Sequence, residues 1–170
     1  MKIDFVKISN INKKADLKKY SINKPIFLEN YLFHYLILTN NLKGLKLVKF
    51  PIYKANQDGY NGFHLAASLE NYDILQHLLK QYPEYIYNLT SDDENFLHLF
   101  PPSNKGYLKL FLKNKNLNWD ELIQGTSKNG NNNLKSLMNN GTKKQIMTIL
   151  NMIDIKFDKF HENLQYPAFF

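Results

Sequence analysis

Residues 58–79, which read DGYNGFHLAASLENYDILQHLL, constrain the fold more than any other part of the chain. The Asp58-Gly59 pair signals a turn, because glycine adopts positive φ at little steric cost. Asn61 has a side chain that is favoured at helix N-caps. A polar turn separates two apolar sets at helical spacing: Phe63, Ala66 and Ala67, then Ile74, Leu75, Leu78 and Leu79. The stretch therefore predicts a helix–turn–helix unit, which must stack on neighbours to bury its apolar face.

The same stretch resembles an ankyrin repeat, whose pattern is DxGxTPLHLAAxxGHxEIVxxLL. Residues 63–67 (FHLAA) stand where the family has LHLAA, and Asn61 takes the threonine place. Weaker copies of the pattern are centred on His34, His98 and Lys135, so the four anchor positions lie 30, 34 and 37 residues apart. Ankyrin arrays have a period of about 33 residues. The resemblance implies an all-α fold, an ankyrin-repeat solenoid of stacked helix–turn–helix units.

The resemblance also divides the chain into two parts. Residues 1–29 lack the repeat and are lysine-rich; they are interpreted as a cap over the first unit, with a flexible arm that contacts an acidic partner as the alternative. The ankyrin-repeat domain covers residues 30–170. Its units are predicted at about 30–57, 58–91, 92–127 and 128–157, with a partial unit at 158–170. That partial unit is either a truncated C-terminal cap or part of an array cut from a longer protein, and its apolar end (PAFF) favours the second.

Four positions carry local expectations. The second helix of the first unit is predicted to include Val48 in its apolar stripe. In the third unit Pro101 removes a helix hydrogen bond, so the first helix there should be short or distorted, with Phe100 filling the vacated space. Trp119, the only tryptophan, is expected to pack beneath the connection to the fourth unit, with a binding anchor as the alternative. Lys135 replaces the histidine of the family pattern.

The histidines and the motif content favour binding over catalysis. His34, His64 and His98 occupy equivalent positions in successive units, too far apart to share one zinc ion. The resemblance implies that they bond neighbouring backbone. No P-loop, HExxH, nucleophile elbow or dinucleotide fingerprint occurs. We therefore predict no enzyme activity, no metal, no cofactor and no small-molecule substrate.

The amino-acid composition limits the cellular compartments and the classes of partner that can be expected. The chain has no cysteine, which excludes disulfides and thiolate zinc sites, and MKIDFVKISN lacks the apolar core of a signal peptide. A cytoplasmic location is predicted, or a host cytosol if the protein is an effector. The net charge of +7 invites a nucleic-acid interpretation, but all 22 basic residues are lysines. Arginine is the favoured residue for bidentate phosphate contacts, so we predict at most weak polyanion binding.

The predicted function is therefore protein–protein interaction through the concave surface, as an adaptor or scaffold. A host-directed protein of a bacterium or large virus fits the Asn/Lys-rich composition. A substrate-targeting module of a larger enzyme and a weak polyanion or nucleic-acid binder are the alternatives. Recognition in ankyrin arrays resides at variable positions, which here are Tyr60, Ser68, Leu69, Tyr72, Glu94, Ser103, Asn131 and Asn139. Tyr60 and Tyr72 are the best anchors by residue type.

Overall fold

The computed structural model describes residues 4–153, and this part of the chain is helical, with two isolated β-bridges and no strand. The helices are α1 (Phe5–Ser9), α2 (Lys14–Leu17), α3 (Leu32–Leu38), α4 (Leu42–Leu45), α5 (Gly62–Ser68), α6 (Tyr72–Gln81), α7 (Phe96–Leu99), α8 (Tyr107–Lys113), α9 (Trp119–Ile123), α10 (Asn133–Asn140) and α11 (Lys143–Met152). The all-α prediction is confirmed for these residues. The partial unit predicted at 158–170 lies outside the described residues, as do the last four residues of the unit at 128–157.

Four helix pairs follow one another along the chain: α3 with α4, α5 with α6, α7 with α8, and α10 with α11. Among the first helices, α3 contacts α5, and α5 contacts α7. Among the second helices, α6 contacts α8, and α8 contacts α11, while α9 packs against α10. The first and second helices therefore form two layers.

The turn before each helix pair contains a residue in the left-handed backbone conformation, with positive φ. Glu29, Gly59, Asp93 and Gly130 have φ values of 58°, 79°, 59° and 74°, and each lies five residues before an anchor position. Two of these four are glycines, for which positive φ carries little steric penalty. The helix N-cap then follows two residues later. Asn61, for example, accepts hydrogen bonds from two backbone N–H groups of α5.

The core runs between the two layers. Phe63 is 1% exposed and Phe96 is fully buried, and their ring centroids lie 5.9 Å apart across two successive first helices. Ala66 and Ala67 are fully buried as well. Their small side chains let α5 approach its neighbours closely, as the alanine pair in the sequence predicts.

The third pair departs from the others in the way that its sequence predicts. Its first helix, α7, has only four residues and ends before Pro101. Phe100 follows in extended conformation, fully buried, with its ring stacked on that of Tyr107 at 6.0 Å. Trp119 is 3% exposed and stacks on Phe111 with ring centroids 4.2 Å apart. Packing of Phe100 and Trp119 into the core is therefore confirmed.

The prediction for the first pair is wrong in one respect. Helix α4 ends at Leu45, so Val48 lies in the following turn and not in a helical stripe. The chain leaves the helix because Phe50 and Ile52 turn inward, where they are 4% and 0% exposed. The Phe50 backbone N–H donates to the Tyr82 hydroxyl oxygen at 3.1 Å, which fixes this inward course.

Residues before the first pair pack onto it. Ile8, Ile11 and Leu17 are buried, and α1 contacts α3. The side-chain amide of Asn41 donates to the carbonyls of Ile8 and Ile11, both at 2.9 Å. Residues 4–17 are therefore held against the first helix pair.

Candidate partner-binding surface

A repeated histidine arrangement joins successive first helices. In His34, Nδ1 accepts the backbone N–H of Tyr31 at 2.9 Å, so the ring proton lies on Nε2. That Nε2–H donates to the carbonyl of Tyr60 in the next turn, at 3.0 Å. His98 repeats the arrangement and donates to the carbonyl of Asn131 at 3.1 Å. Each ring therefore fastens the start of its own helix to the turn of the next unit.

His64 makes the same kind of link to a different carbonyl. Its Nδ1 accepts the N–H of Asn61 at 3.3 Å, and its Nε2 donates to the carbonyl of Asn88 at 3.0 Å. Burial lowers the pKa of both His34 and His64 to about 4. Both rings are therefore neutral at pH 7, as their hydrogen-bonding pattern requires. Between residues 4 and 153, no group of three or more His, Asp or Glu side chains is arranged to hold a metal ion.

The turn tips carry three of the residues predicted from the sequence: Tyr60, Glu94 and Asn131. The carbonyl of each accepts the N–H of the residue four positions earlier, at 2.9–3.0 Å. Those earlier residues also have buried side-chain oxygens that accept turn N–H groups: Asn56, Thr90 and Ser127. A short polar residue four positions before each tip is therefore a sequence feature of these turns, and it was not used in the sequence analysis. Its hydrogen bonds hold the backbone of each tip in place.

Glu94, Asn131 and Asn139 line one groove of about 360 Å³ beside the third and fourth turns. His98 and Lys135 also line it, together with further asparagines. The groove is polar, and its asparagine amides offer both donors and acceptors. It brings together three residues that are up to 45 positions apart in the sequence.

Tyr60 lies next to this groove. Burial raises the pKa of its phenol, and the carboxylates of Glu94, Asp58 and Asp92 raise it further. A Cβ at Gly59 would lie 3.5 Å from the backbone nitrogen of Ser91, so the turn of the second unit lies beside that of the third. Tyr60, Glu94, Asn131 and Asn139 therefore form one row, which we call the turn-side surface.

The other predicted residues lie elsewhere. Ser68 and Leu69 are exposed at the C-terminal end of α5, and Ser103 is exposed in the turn after α7. The hydroxyl of Ser68 donates to the carbonyl of Leu65 at 3.0 Å. These three residues are at the opposite end of the first helices from the turn tips. They do not line the groove with Glu94.

Tyr72 lies in the layer of second helices. It is the first residue of α6, and its hydroxyl donates to Oε1 of Gln76 at 3.2 Å. A Cβ at Gly106 would lie only 2.6 Å from the Tyr72 ring, so this glycine allows the ring to pack closely against the start of α8. Truncation of Tyr72 would therefore cost stability, and its ring is not part of the turn-side surface.

A comparison with protein-family models finds no match to the chain, and a comparison with curated proteins finds no significant relative. Within residues 4–153, no helix has both the length and the apolar character needed to cross a lipid bilayer.

Proposed function

We propose that residues 30–153 form an ankyrin-type array that binds a partner protein through the turn-side surface. The array is supported by the regular positions of the turns, N-caps and histidines relative to the four anchors. The docked segment at residues 4–17 supports its role as an N-terminal cap, since solenoids need a covered end. The proposed role is binding and not catalysis, because the three repeated histidines are occupied by backbone hydrogen bonds.

The observation that carries the binding proposal is the groove shared by Glu94, Asn131 and Asn139, with Tyr60 in the adjacent turn. The hydrogen-bonded tips lower the entropic cost of binding, because their backbone is already ordered. Tyrosine supplies a large amphipathic contact area, and the amides supply adaptable hydrogen bonds. A polar groove of this kind fits a protein surface or loop.

The test is site-specific photocrosslinking in extract of the source cells. A photoreactive phenylalanine analogue replaces Asn139 in one protein, and the exposed Lys144 of α11 in a matched control. A discrete crosslinked polypeptide is expected from position 139 and not from position 144. Adding Tyr60→Ala to the first protein should abolish that product.

Tyr60→Ala is suitable because the hydrogen bonds that Tyr60 makes to His34 and to Asn56 all use its backbone. The substitution removes the ring and leaves those bonds in place. Unchanged helicity by circular dichroism checks that the fold is intact. Equal products from positions 139 and 144, or a product that is insensitive to Tyr60→Ala, would refute the site.

A further inference from the structure

A second groove lies in the layer of second helices and shares no residue with the turn-side surface. It has a volume of about 500 Å³ and is lined from α6, from the start of α4 and the residue after it, and from the end of α8. A smaller groove of about 240 Å³ adjoins it and shares Lys46, His77 and Gln81. We call the two together the second-helix groove.

This groove is strongly basic. Its lining contains four lysines and one carboxylate: Lys46, Lys49, Lys80, Lys113 and Asp73. All four lysines are exposed. Over residues 4–153 the only ion pair joins Asp4 to Lys7, so no salt bridge within that range neutralises these lysines. The pKa of His77 is lowered mainly by burial, and the positive charges of Lys46 and Lys80 lower it further.

The floor of the groove is already ordered. The side-chain amides of Gln76 and Asn114 exchange two hydrogen bonds between α6 and α8, at 3.0 and 3.3 Å. The Lys113 ammonium lies 5.8 Å from the centre of the Tyr72 ring, a cation–π contact at the groove edge. A fixed floor favours recognition, because only the exposed lysine side chains remain to be ordered on binding.

We propose that the second-helix groove binds an acidic, extended segment of a partner protein. Lys46 and Lys49 follow α4, Lys80 lies on α6 and Lys113 ends α8. The charges therefore come from three successive helix pairs and not from one segment. An extended chain that carries several carboxylates matches this arrangement through charge complementarity. The occupant is a peptide and not a nucleic acid, because the lining has no arginine for bidentate phosphate contacts. The Tyr72 ring packs against Gly106 and is also in contact with the Lys113 ammonium, so it is partly covered against base stacking.

The test is fluorescence anisotropy with a labelled glutamate-rich peptide. One variant carries Lys46→Gln, Lys80→Gln and Lys113→Gln. Its control carries Lys18→Gln, Lys19→Gln and Lys144→Gln, which change the net charge equally at exposed sites outside the groove. The groove variant should bind roughly tenfold more weakly or worse, and the control within about twofold of the unmodified protein.

A gain-of-binding variant completes the design. Asp73→Asn removes the one carboxylate in the lining and should tighten peptide binding. Equal weakening by both lysine triples, with no gain from Asp73→Asn, would mean that diffuse charge and not the groove binds the peptide. A single-stranded oligonucleotide of equal charge is the competitor. If it binds more tightly than the peptide and loses as much affinity in the groove variant, the peptide assignment is overturned.

Discussion

The buried histidines make the stability of this protein depend on pH. The side chains of His34 and His64 are 0% and 1% exposed, and burial lowers both pKa values from an ordinary 6.5 to about 4. In the unfolded chain both rings bind a proton near pH 6.5. The unfolded state therefore carries more protons than the folded state between pH 6.5 and pH 4, and stability falls as the pH falls through this window.

The magnitude follows from the pKa difference. One pKa unit corresponds to about 1.4 kcal/mol, so each ring contributes about 3 kcal/mol when the window has been fully crossed. Between about pH 7 and pH 5 the loss is about 2 kcal/mol for each ring, or about 4 kcal/mol for both. That is a large share of the roughly 5–15 kcal/mol that typical domains have. His77 adds a loss of the same sign, because its pKa is also lowered by burial.

The assay is urea denaturation followed by circular dichroism at a series of pH values. His34→Gln and His64→Gln should each lower stability at pH 7, because a hydrogen bond between units is weakened. Each should also remove about 2 kcal/mol of the loss between pH 7 and pH 5, and the double variant should show only the remaining background. Ile149→Val, at a fully buried position, is the control: it should cost about 1 kcal/mol at every pH. If both histidine variants retain the full pH dependence, the buried neutral rings are not its source.

Two further predictions concern the N-terminal segment and the first turn. Asn41→Ala and Asn41→Asp both remove the side-chain amide that donates to the carbonyls of Ile8 and Ile11. Each should therefore lower the free energy of unfolding, measured by urea denaturation, by about 2–4 kcal/mol. Each should also make residues 5–17 accessible to protease. Only the aspartate variant keeps the N-cap acceptor for α4, so equal stability of Asn41→Asp and the unmodified protein would rule out the amide as the anchor of the cap. Leu28→Asn combined with Glu29→Gly should stabilise the protein by about 1 kcal/mol, because both residues have positive φ (48° and 58°) and Asn-Gly suits such a turn. An unchanged denaturation midpoint would show that the turn carries no strain.

The sequence predicts most of the local structure because the signals are local. Residues 58–79 contain a DG pair, an asparagine suited to an N-cap and two apolar sets. In the structure these signals correspond to a turn, the N-cap of α5 and the two helices α5 and α6. The shortened α7 is equally local, since Pro101 acts on its own helix. The length of α4 was predicted less well. Its end depends on the burial of Phe50 and Ile52, which is a tertiary effect.

Surfaces are harder to predict, because they join residues from different units. The repeat register assigned Tyr72 to the recognition set, yet the ring packs toward Gly106, 34 residues later. The second-helix groove also joins residues that are distant in the sequence, because its lysines lie between positions 46 and 113. Each of these lysines alone is typical of a solvated helix face. Only the packing of three successive helix pairs brings these charges to one groove.

The geometry of the turn-side surface depends in turn on a buried amide network between the third and fourth units. The side-chain amide of Asn95 donates to the carbonyl of Leu122 at 2.9 Å, and that of Asn133 donates to Oδ1 of Asn95 at 2.9 Å and to the same carbonyl at 2.8 Å. A Cβ at Gly125 would lie 2.6 Å from the Asn95 amide nitrogen, so the chain after α9 must be glycine to reach this network. A buried polar network is stabilising only when every polar group in it is hydrogen-bonded. This condition is met, because no buried side-chain polar atom in residues 4–153 lacks a partner. Because Asn133 also lines the groove with Glu94, the inserted helix α9 helps to fix the surface that we propose for partner binding.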